Sequence, residues 1–445
     1  MLSTRGYNIL KESLSPDDLD AVRSELTVTP FSIGMRQKSI PNVLYLESET
    51  RIYVPKFYGL KKWGPPEKIK LAKGKEVILT FTGALRDEQI EPVDALMAAC
   101  QDTKRMGGIL NVFCGGGKTT MALYVLTQLG LKTLIIVHKD FLLKQWAERI
   151  EQFLPGARVG QIKAKVIDVN DKDIVIASLQ SLSMKEYPQN VFEDFGTVIV
   201  DEVHHTSAEV FSKALRKVSF KYTIGLSATI KRKDGLSKVF VWYLGEVAFK
   251  ATKRQDQVHV HILPFNSPAP TYSTVYTIMK DKPNVSKMIN NICEFNPRNK
   301  LIVDTVTHVL RSEPGRKMLI LSDRRAHLMV LHDLLAAAKY TAGVYMGGCK
   351  LSDCDDKQII LATYAIASEG YDQPGLDTLV LASPRSDIVQ SVGRILRDKK
   401  GDRKHIPLVI DIWDMFSLFM NQGKKRQTFY KSCEYEVELL ASANA

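Results

Sequence analysis

Two series of short β-branched segments, each alternating with stretches of helical periodicity, restrict what this chain can fold into more than any other feature. The first series is 109–113, 133–137, 174–178, 197–200 and 222–226, and the second is 318–322, 359–362, 378–382 and 408–412. Segments this short and this continuously apolar, set a helix-length apart, pair in parallel, because each crossover returns the chain to the same edge of the sheet and the helices cover both faces. The expected fold class is α/β, with two parallel-sheet lobes in tandem. The interval after Lys118 shows the helical pattern: Ala122, Val125, Leu126 and Leu129 make one apolar face, and Gly130 follows as a C-cap. A further helix is expected over 326–338.

Residues 1–80 depart from this plan. Ser15 supplies an N-cap, Pro16 the first helical position and Asp17 and Asp18 an acidic first turn, ahead of Leu19, Val22 and Leu26 at helical spacing. Segments 43–46 and 51–54 flank a polar 47–50 and predict a β-hairpin, after which Pro55, Gly59, Gly64, Pro65 and Pro66 break regular structure. The expected organisation is a small N-terminal α+β accessory module over 1–80, a first lobe over 81–250, a linker over 251–290, a second lobe over 291–415 and a basic tail over 416–445. The linker is read from Pro264, Pro268, Pro270 and Pro283, and the tail from Lys424, Lys425 and Arg426.

At 445 residues the chain is too long for one core, and 45% hydrophobic with 25% charged residues is ordinary globular usage. No apolar run approaches the roughly 18 residues of a membrane span. The first residues lack the apolar centre of a signal peptide, because Arg5, Lys11 and Glu12 interrupt it. A soluble, intracellular protein is expected. Its cysteines, at 100, 114, 293, 349, 354 and 433, show no metal-binding or disulfide spacing, and Cys349 and Cys354 read as free thiols in a loop. The net charge of +12 would attract a polyanion, although a solvated basic surface has the same composition.

Phe113-Cys114-Gly115-Gly116-Gly117-Lys118-Thr119 falls where a strand ends and a helix begins, so backbone amides and a helix N-terminus can wrap a triphosphate. Lys118 would hold the β and γ phosphates and Thr119 would ligate Mg²⁺. Val112 stands where the usual phosphate-loop pattern has its first glycine. The apolar run 198–200 leads into Asp201 and Glu202; a carboxylate at a strand's C-terminal edge can hold Mg²⁺, and its neighbour can orient or deprotonate water. Gly225-Leu226-Ser227-Ala228-Thr229 ends another strand with small hydroxyl residues suited to sensing a γ-phosphate. Near the end of the second series, Arg394 and Arg397 lie three apart, on one face if helical, where guanidinium groups could enter a cleft between the lobes and stabilise charge on a transferring phosphoryl group. Each motif also has a plain structural reading: a glycine-rich turn, a surface acidic pair, a basic helix face. Trp146 and Leu142 read as packing, and His204 and His205 as hydrogen-bonding residues.

In chain order, Leu85-Arg86-Asp87-Glu88-Gln89, FCGGGKT (113–119), TLIIVHKDFLLKQW (133–146), IVIASLQSL (174–182), DEVHH (201–205), LSAT (226–229), MLILSDRRAHL (318–328), LATYAIASEGYDQPGLDTLVLASP (361–384) and QSVGRILR (390–397) resemble the ordered motif set of superfamily 2 helicases. The DEVH box, LSATIKRKDG and ASEGYD…QSVGRILR are similar to the XPB/UvsW branch, and to the compact helicases of large DNA viruses, including the poxvirus transcript-release type. The resemblance implies two RecA-like lobes, ATP and Mg²⁺ as cofactors, and an ATP-dependent helicase or translocase. It implies that Gln89 reads the adenine edge and that Cys114, Gly115, Gly116, Gly117, Lys118, Thr119 and Thr120 cradle the nucleotide, with Thr119 and Asp201 on the metal and Glu202 as base. Glu369, Gly370 and Asp372 would link the second lobe to nucleotide, Gln390, Arg394 and Arg397 would act in catalysis with the arginines as fingers, and Ser178, Gln180 and Thr363 would touch the nucleic-acid backbone.

The same resemblance favours DNA over RNA as substrate and movement 3′ to 5′. The chain is further expected to be a monomer without a membrane partner, working with transcription, replication or repair machinery. A viral chain of this kind would work in the host cytoplasm or nucleus, or in the virion. Two rivals stand beside this expectation: a translocase subunit of a restriction-type system, which shares the motor, and a nucleic-acid-binding or remodelling ATPase without strand separation.

Overall fold

In the computed structural model the chain forms two compact units, Met1–Thr252 and Lys253–Ala445. The structure describes residues 1–29, 40–113, 115–202, 207–228, 235–251, 256–277, 282–346, 354, 356–368, 373–398, 403–441 and 443–444. No helix among the described residues is long and apolar enough to cross a membrane.

The first unit opens with short strands: β1 (Leu2–Ser3), β2 (Gly6–Leu10), β3 (Thr27–Val28), β4 (Asn42–Val43), β5 (Leu46–Glu47), β6 (Arg51–Val54) and β7 (Ile69–Lys70). Five of them make a sheet in the order β5-β6-β2-β1-β7, and β3 pairs with β4. Helix α1 (Pro16–Glu25) starts as expected, with the Asp18 amide donating to the Ser15 hydroxyl at 3.1 Å. The hairpin is shorter than the sequence suggests: Leu46 pairs with Tyr53 and Glu47 with Ile52, while Val43 is drawn off to pair with Thr27. Helix α2 (Lys56–Trp63) ties this part to the rest of the unit, because the buried Lys56 ammonium donates to the carbonyls of Phe220 (3.1 Å) and Lys221 (2.8 Å).

The main sheet of this unit holds β8 (Gly107–Asn111), β9 (Thr133–Val137), β10 (Val159–Lys163), β11 (Val166–Asp168), β12 (Ile174–Ser178), β13 (Thr197–Asp201), β14 (Tyr222–Ser227) and β15 (Val247–Lys250). Their order is β11-β10-β12-β9-β13-β14-β8-β15, parallel except for the β10–β11 hairpin. Alternate residues of one strand enter two cores, as the strand period of two requires. Val198 and Val200 pack with α6 (Leu179–Met184), α7 (Ala208–Leu215) and α8 (Ser237–Leu244), whereas Ile199 packs with α3 (Asp87–Gln101), α4 (Lys118–Leu129) and α5 (Asp140–Phe153). Burial on both faces is why these strands read as unbroken apolar runs.

The second unit repeats the plan with β16 (His259–Asn266), β17 (Lys317–Ser322), β18 (Ala342–Tyr345), β19 (Ile359–Thr363), β20 (Leu376–Leu381), β21 (Leu408–Asp414), β22 (Glu436–Leu439) and β23 (Ala443–Asn444), in the order β18-β19-β17-β20-β21-β16-β22, with β23 also on β16. Helices α9 (Val285–Glu294), α10 (Asn296–Ser312) and α11 (Arg325–Ala337) pack in one core. Side chains of α12 (Tyr364–Ser368), α13 (Val389–Arg394) and α14 (Ser417–Ser432) enter the other.

Two expectations are corrected here. The stretch 251–290, expected as a linker, contains β16, paired along its length with β21, and most of α9. Pro264 is tolerated in that strand because on its other side β22 pairing stops at Ile262 and β23 pairing starts at Phe265, so the missing N–H falls in a gap. The stretch 416–445, expected as a basic tail, is built into the unit. Arg426 is buried, with Nε donating to Asp411 Oδ2 at 2.9 Å and Nη2 lying 2.8 Å from Oδ1, and Tyr430 also donates to Oδ2 at 2.9 Å. Only Lys424 and Lys425 of that basic run are exposed.

Candidate nucleotide site

The loop from β8 to α4 is shaped by glycine at one position in particular. Gly117, the N-cap of α4, has φ +80° and ψ +30°, a left-handed conformation, and a Cβ there would stand 2.0 Å from Gln89 Nε2. That close approach is used: Gln89 Nε2 donates to the Gly116 carbonyl at 3.2 Å while its Oε1 accepts from the Arg86 amide at 2.9 Å. Gln89 is therefore held against the phosphate loop by both ends of its amide. Val112, in place of the usual glycine, is buried, and its Cγ1 fills the space 2.5 Å from where a Cβ on Gly116 would lie. Cys114 lies outside the described residues.

Lys118 opens α4 with its side chain buried, its Nζ donating to the Val112 carbonyl at 3.1 Å and lying 3.8 Å from Glu202 Oε1. Thr119 and Thr120 follow in the first turn, where unpaired amides and the helix dipole favour an anion. Asp201 is the last residue of β13 and is buried; Glu202, immediately after it, takes φ +48°, uncommon for a residue with a side chain. Burial, and then the adjacent Glu202 carboxylate, push the Asp201 carboxyl up to about 6, against the Trp146 N–H and the Lys118 ammonium, which pull it down. Strand order brings these parts together: β13 lies beside β14 and β14 beside β8, and the Val112 amide donates to the Ser227 carbonyl at 3.1 Å.

The donors expected for a metal, the Thr119 hydroxyl and one Asp201 carboxylate, would be a sparse, hard-oxygen set. It suits Mg²⁺, which completes its octahedron with phosphate oxygens and water rather than with a protein cage.

Trp146 is the residue that sequence reasoning missed. It is packed, as expected, but its indole N–H donates to Asp201 Oδ2 at 2.8 Å. The signal was available: tryptophan has one donor, and a buried one needs a partner.

The proposed nucleic-acid contacts of the first unit sit together at the C-terminal ends of β9 and β12. Ser178 Oγ donates to Gln180 Oε1 at 3.1 Å, and Gln180 Nε2 donates to the His138 carbonyl at 2.7 Å. In the second unit Thr363 ends β19, with its hydroxyl 3.5 Å from the Ile366 amide. Gln390 and the buried Arg394 lie in α13. That helix ends at Arg394, with Ile395 as C-cap, so the expectation that Arg394 and Arg397 share a helical face is corrected: Arg397 follows the helix. Glu369, Gly370, Asp372, His204, His205, Thr229 and Cys349 lie outside the described residues. Cys354 is buried.

Residues 82–232 match the family described as type III restriction enzyme, res subunit. The chain is 34% identical over 451 residues to a putative ATP-dependent RNA helicase L396 of Acanthamoeba polyphaga mimivirus, covering 97% of this chain and 85% of that protein. It is 29% identical to a putative helicase 161L of Invertebrate iridescent virus 6, covering 79% and 81% of the two chains. Among solved structures, T4 UvsW aligns over 97% of this chain and 96% of its own at 18% identity and a TM-score of 0.36, too low for any shared geometry to be inferred.

Proposed function

The chain belongs to the superfamily 2 helicases and is an ATP-dependent helicase similar to those of large DNA viruses, and on that premise we propose that Lys118, Asp201 and Glu202 carry its ATP hydrolysis. The observation that supports this most directly is the placement of all three at one end of the first unit's sheet, with the Lys118 ammonium 3.8 Å from the Glu202 carboxylate. Lys118 draws its cation from Glu202 to the β and γ phosphates as nucleotide enters, and the amides of the first turn of α4 take the remaining phosphate oxygens. Glu202, released from that ion pair, accepts a proton from the attacking water. Thr119 and Asp201 would hold Mg²⁺, which would supply neutralisation of phosphate charge. Gln89 reads the adenine edge from its place against the loop. Arg394 and Arg397, with Gln390, stabilise charge on the transferring phosphoryl group. Glu369, Gly370 and Asp372 relay nucleotide state, and residues 1–80 add grip on the strand.

Ser178 and Gln180 in the first unit, and Thr363 in the second, touch the strand's backbone rather than its bases, as a motor indifferent to sequence requires. DNA is the proposed substrate; the mimivirus relative carries the word RNA in its name. ATPase stimulation measured across single- and double-stranded DNA and RNA decides between them. Stimulation by RNA alone would overturn the DNA assignment, and metal-dependent cleavage of DNA by the purified chain would favour the restriction-type reading.

A further inference from the structure

A carboxylate at the end of an aspartate turns freely about its last bond, whereas Mg²⁺ accepts only near-octahedral geometry, so a metal-binding aspartate works best when something fixes its rotation. In this chain the group placed to do so is an indole. Trp146 lies on the face of α5 that also buries Leu142, Leu143 and Ile150, at the helical spacings of three and four residues. Those neighbours pack in the core with Ile135, Ile176 and Ile199, and Trp146 is 1% exposed, so its ring is held from several sides. From there Nε1–H donates to Asp201 Oδ2 at 2.8 Å, between residues 55 apart in sequence. The bond occupies one carboxylate oxygen and sets the direction of the other.

We propose that Trp146 is a positioning residue for the metal: its N–H locks the Asp201 carboxylate so that Oδ1 is presented to Mg²⁺, which rests on the assignment of Asp201 made above. Hydrogen-bond donors behind a metal ligand are worth about 10–100-fold in metal affinity where they have been removed. A tryptophan retained only to fill the core would be replaced by phenylalanine at the cost of a cavity and some stability, but without that loss of metal affinity.

The test uses the full chain and Mn²⁺ as probe. With a non-hydrolysable ATP analogue bound, Trp146→Phe should weaken Mn²⁺ binding about 10–100-fold, measured by calorimetry or electron paramagnetic resonance. Analogue affinity in excess chelator should be unchanged. A folded Trp146→Phe chain with wild-type Mn²⁺ affinity, or with an equal loss of metal-free analogue affinity, would overturn the proposal. Asp201→Asn separates its failure from that of the underlying reading: if Asp201→Asn also binds Mn²⁺ normally, the metal assignment itself is wrong. Should Trp146→Phe fail to fold, the wild-type chain still decides. Of the indole N–H signals of its four tryptophans, one should be broadened by Mn²⁺ with the analogue bound, and four unbroadened signals would contradict the proposal.

Discussion

Replacing Gly117 by alanine tests the description of the phosphate loop without touching a charged group. Alanine at φ +80° costs about 1–2 kcal/mol relative to glycine, from contact of its Cβ with the backbone. The new Cβ would also stand 2.0 Å from Gln89 Nε2 and 3.0 Å from Arg86 Nη2. Gln89 is 2% exposed and cannot swing its amide into water, so it withdraws from the Gly116 carbonyl and leaves a buried donor unmet, a further cost of about 1–3 kcal/mol. Reduced freedom of the unfolded chain returns about 0.4–1 kcal/mol. The net expectation is a loss of about 3 kcal/mol, within about 1–5, from the first unit, read as its urea unfolding transition, together with weaker ATP-analogue binding. In a Gln89→Ala background the obstruction is gone, and Gly117→Ala should cost only the backbone term, about 1 kcal/mol. Equal costs in the two backgrounds would refute the contact between Gln89 and the loop, and no cost in either would refute the left-handed cap.

Three shorter predictions follow from other parts of the molecule. Arg426→Ala should destabilise the second unit by about 3–5 kcal/mol in urea unfolding, because it strands the Asp411 carboxylate, which is 1% exposed. Lys424→Ala, exposed two residues earlier, should change stability by no more than about 0.5 kcal/mol. His327, bonded to Ser322 Oγ and Asn299 Oδ1 at 2.9 Å each, is lowered from 6.5 to about 3 by burial and then by the Arg298 charge. The unfolded chain therefore takes up that proton first as pH falls. Its contribution is intact above pH 6.5 and is lost below it, by about 2 kcal/mol at pH 5, and His327→Gln should abolish that part of the slope in pH-dependent unfolding. Strand binding should weaken with salt by somewhat less than one power of concentration per phosphate contact, followed by fluorescence anisotropy, and a flat profile would contradict a backbone-reading motor.

The legible parts of the fold were those where one physical demand dominates. Residues 133–137 and 174–178 are strands at the bounds read from sequence, because burial on both faces leaves no polar position to blur the pattern. The phosphate loop was legible because glycine takes the left-handed conformation at Gly117 without the steric cost that a Cβ brings. Where two demands compete, the reading failed. In 259–266 alternating His259 and His261 and the interior Pro264 hid a strand whose pairing partner is some 150 residues away, in β21. Arg426 looked like one more solvated cation, since its partner Asp411 belongs to a different element. The end of α13 at Arg394 could not be read from arginine spacing, and the bond from Trp146 to Asp201 depends on strand order that the local sequence does not encode.

The assignment of ATP chemistry to Lys118, Asp201 and Glu202 is tested most directly by separating binding from turnover. ATP affinity by calorimetry and nucleic-acid-stimulated hydrolysis would be measured for the wild-type chain, Lys118→Ala, Glu202→Gln, Arg394→Ala and Arg397→Ala. Lys118→Ala should lose binding and turnover together, because it removes the cation of the phosphate loop. Glu202→Gln should keep ATP affinity and lose turnover, because the base goes while the loop and Asp201 remain. The arginine variants should keep affinity and lose about 10³ to 10⁵ in rate. A Glu202→Gln chain that hydrolyses ATP at the wild-type rate, or a Lys118→Ala chain that binds ATP normally, would contradict the account.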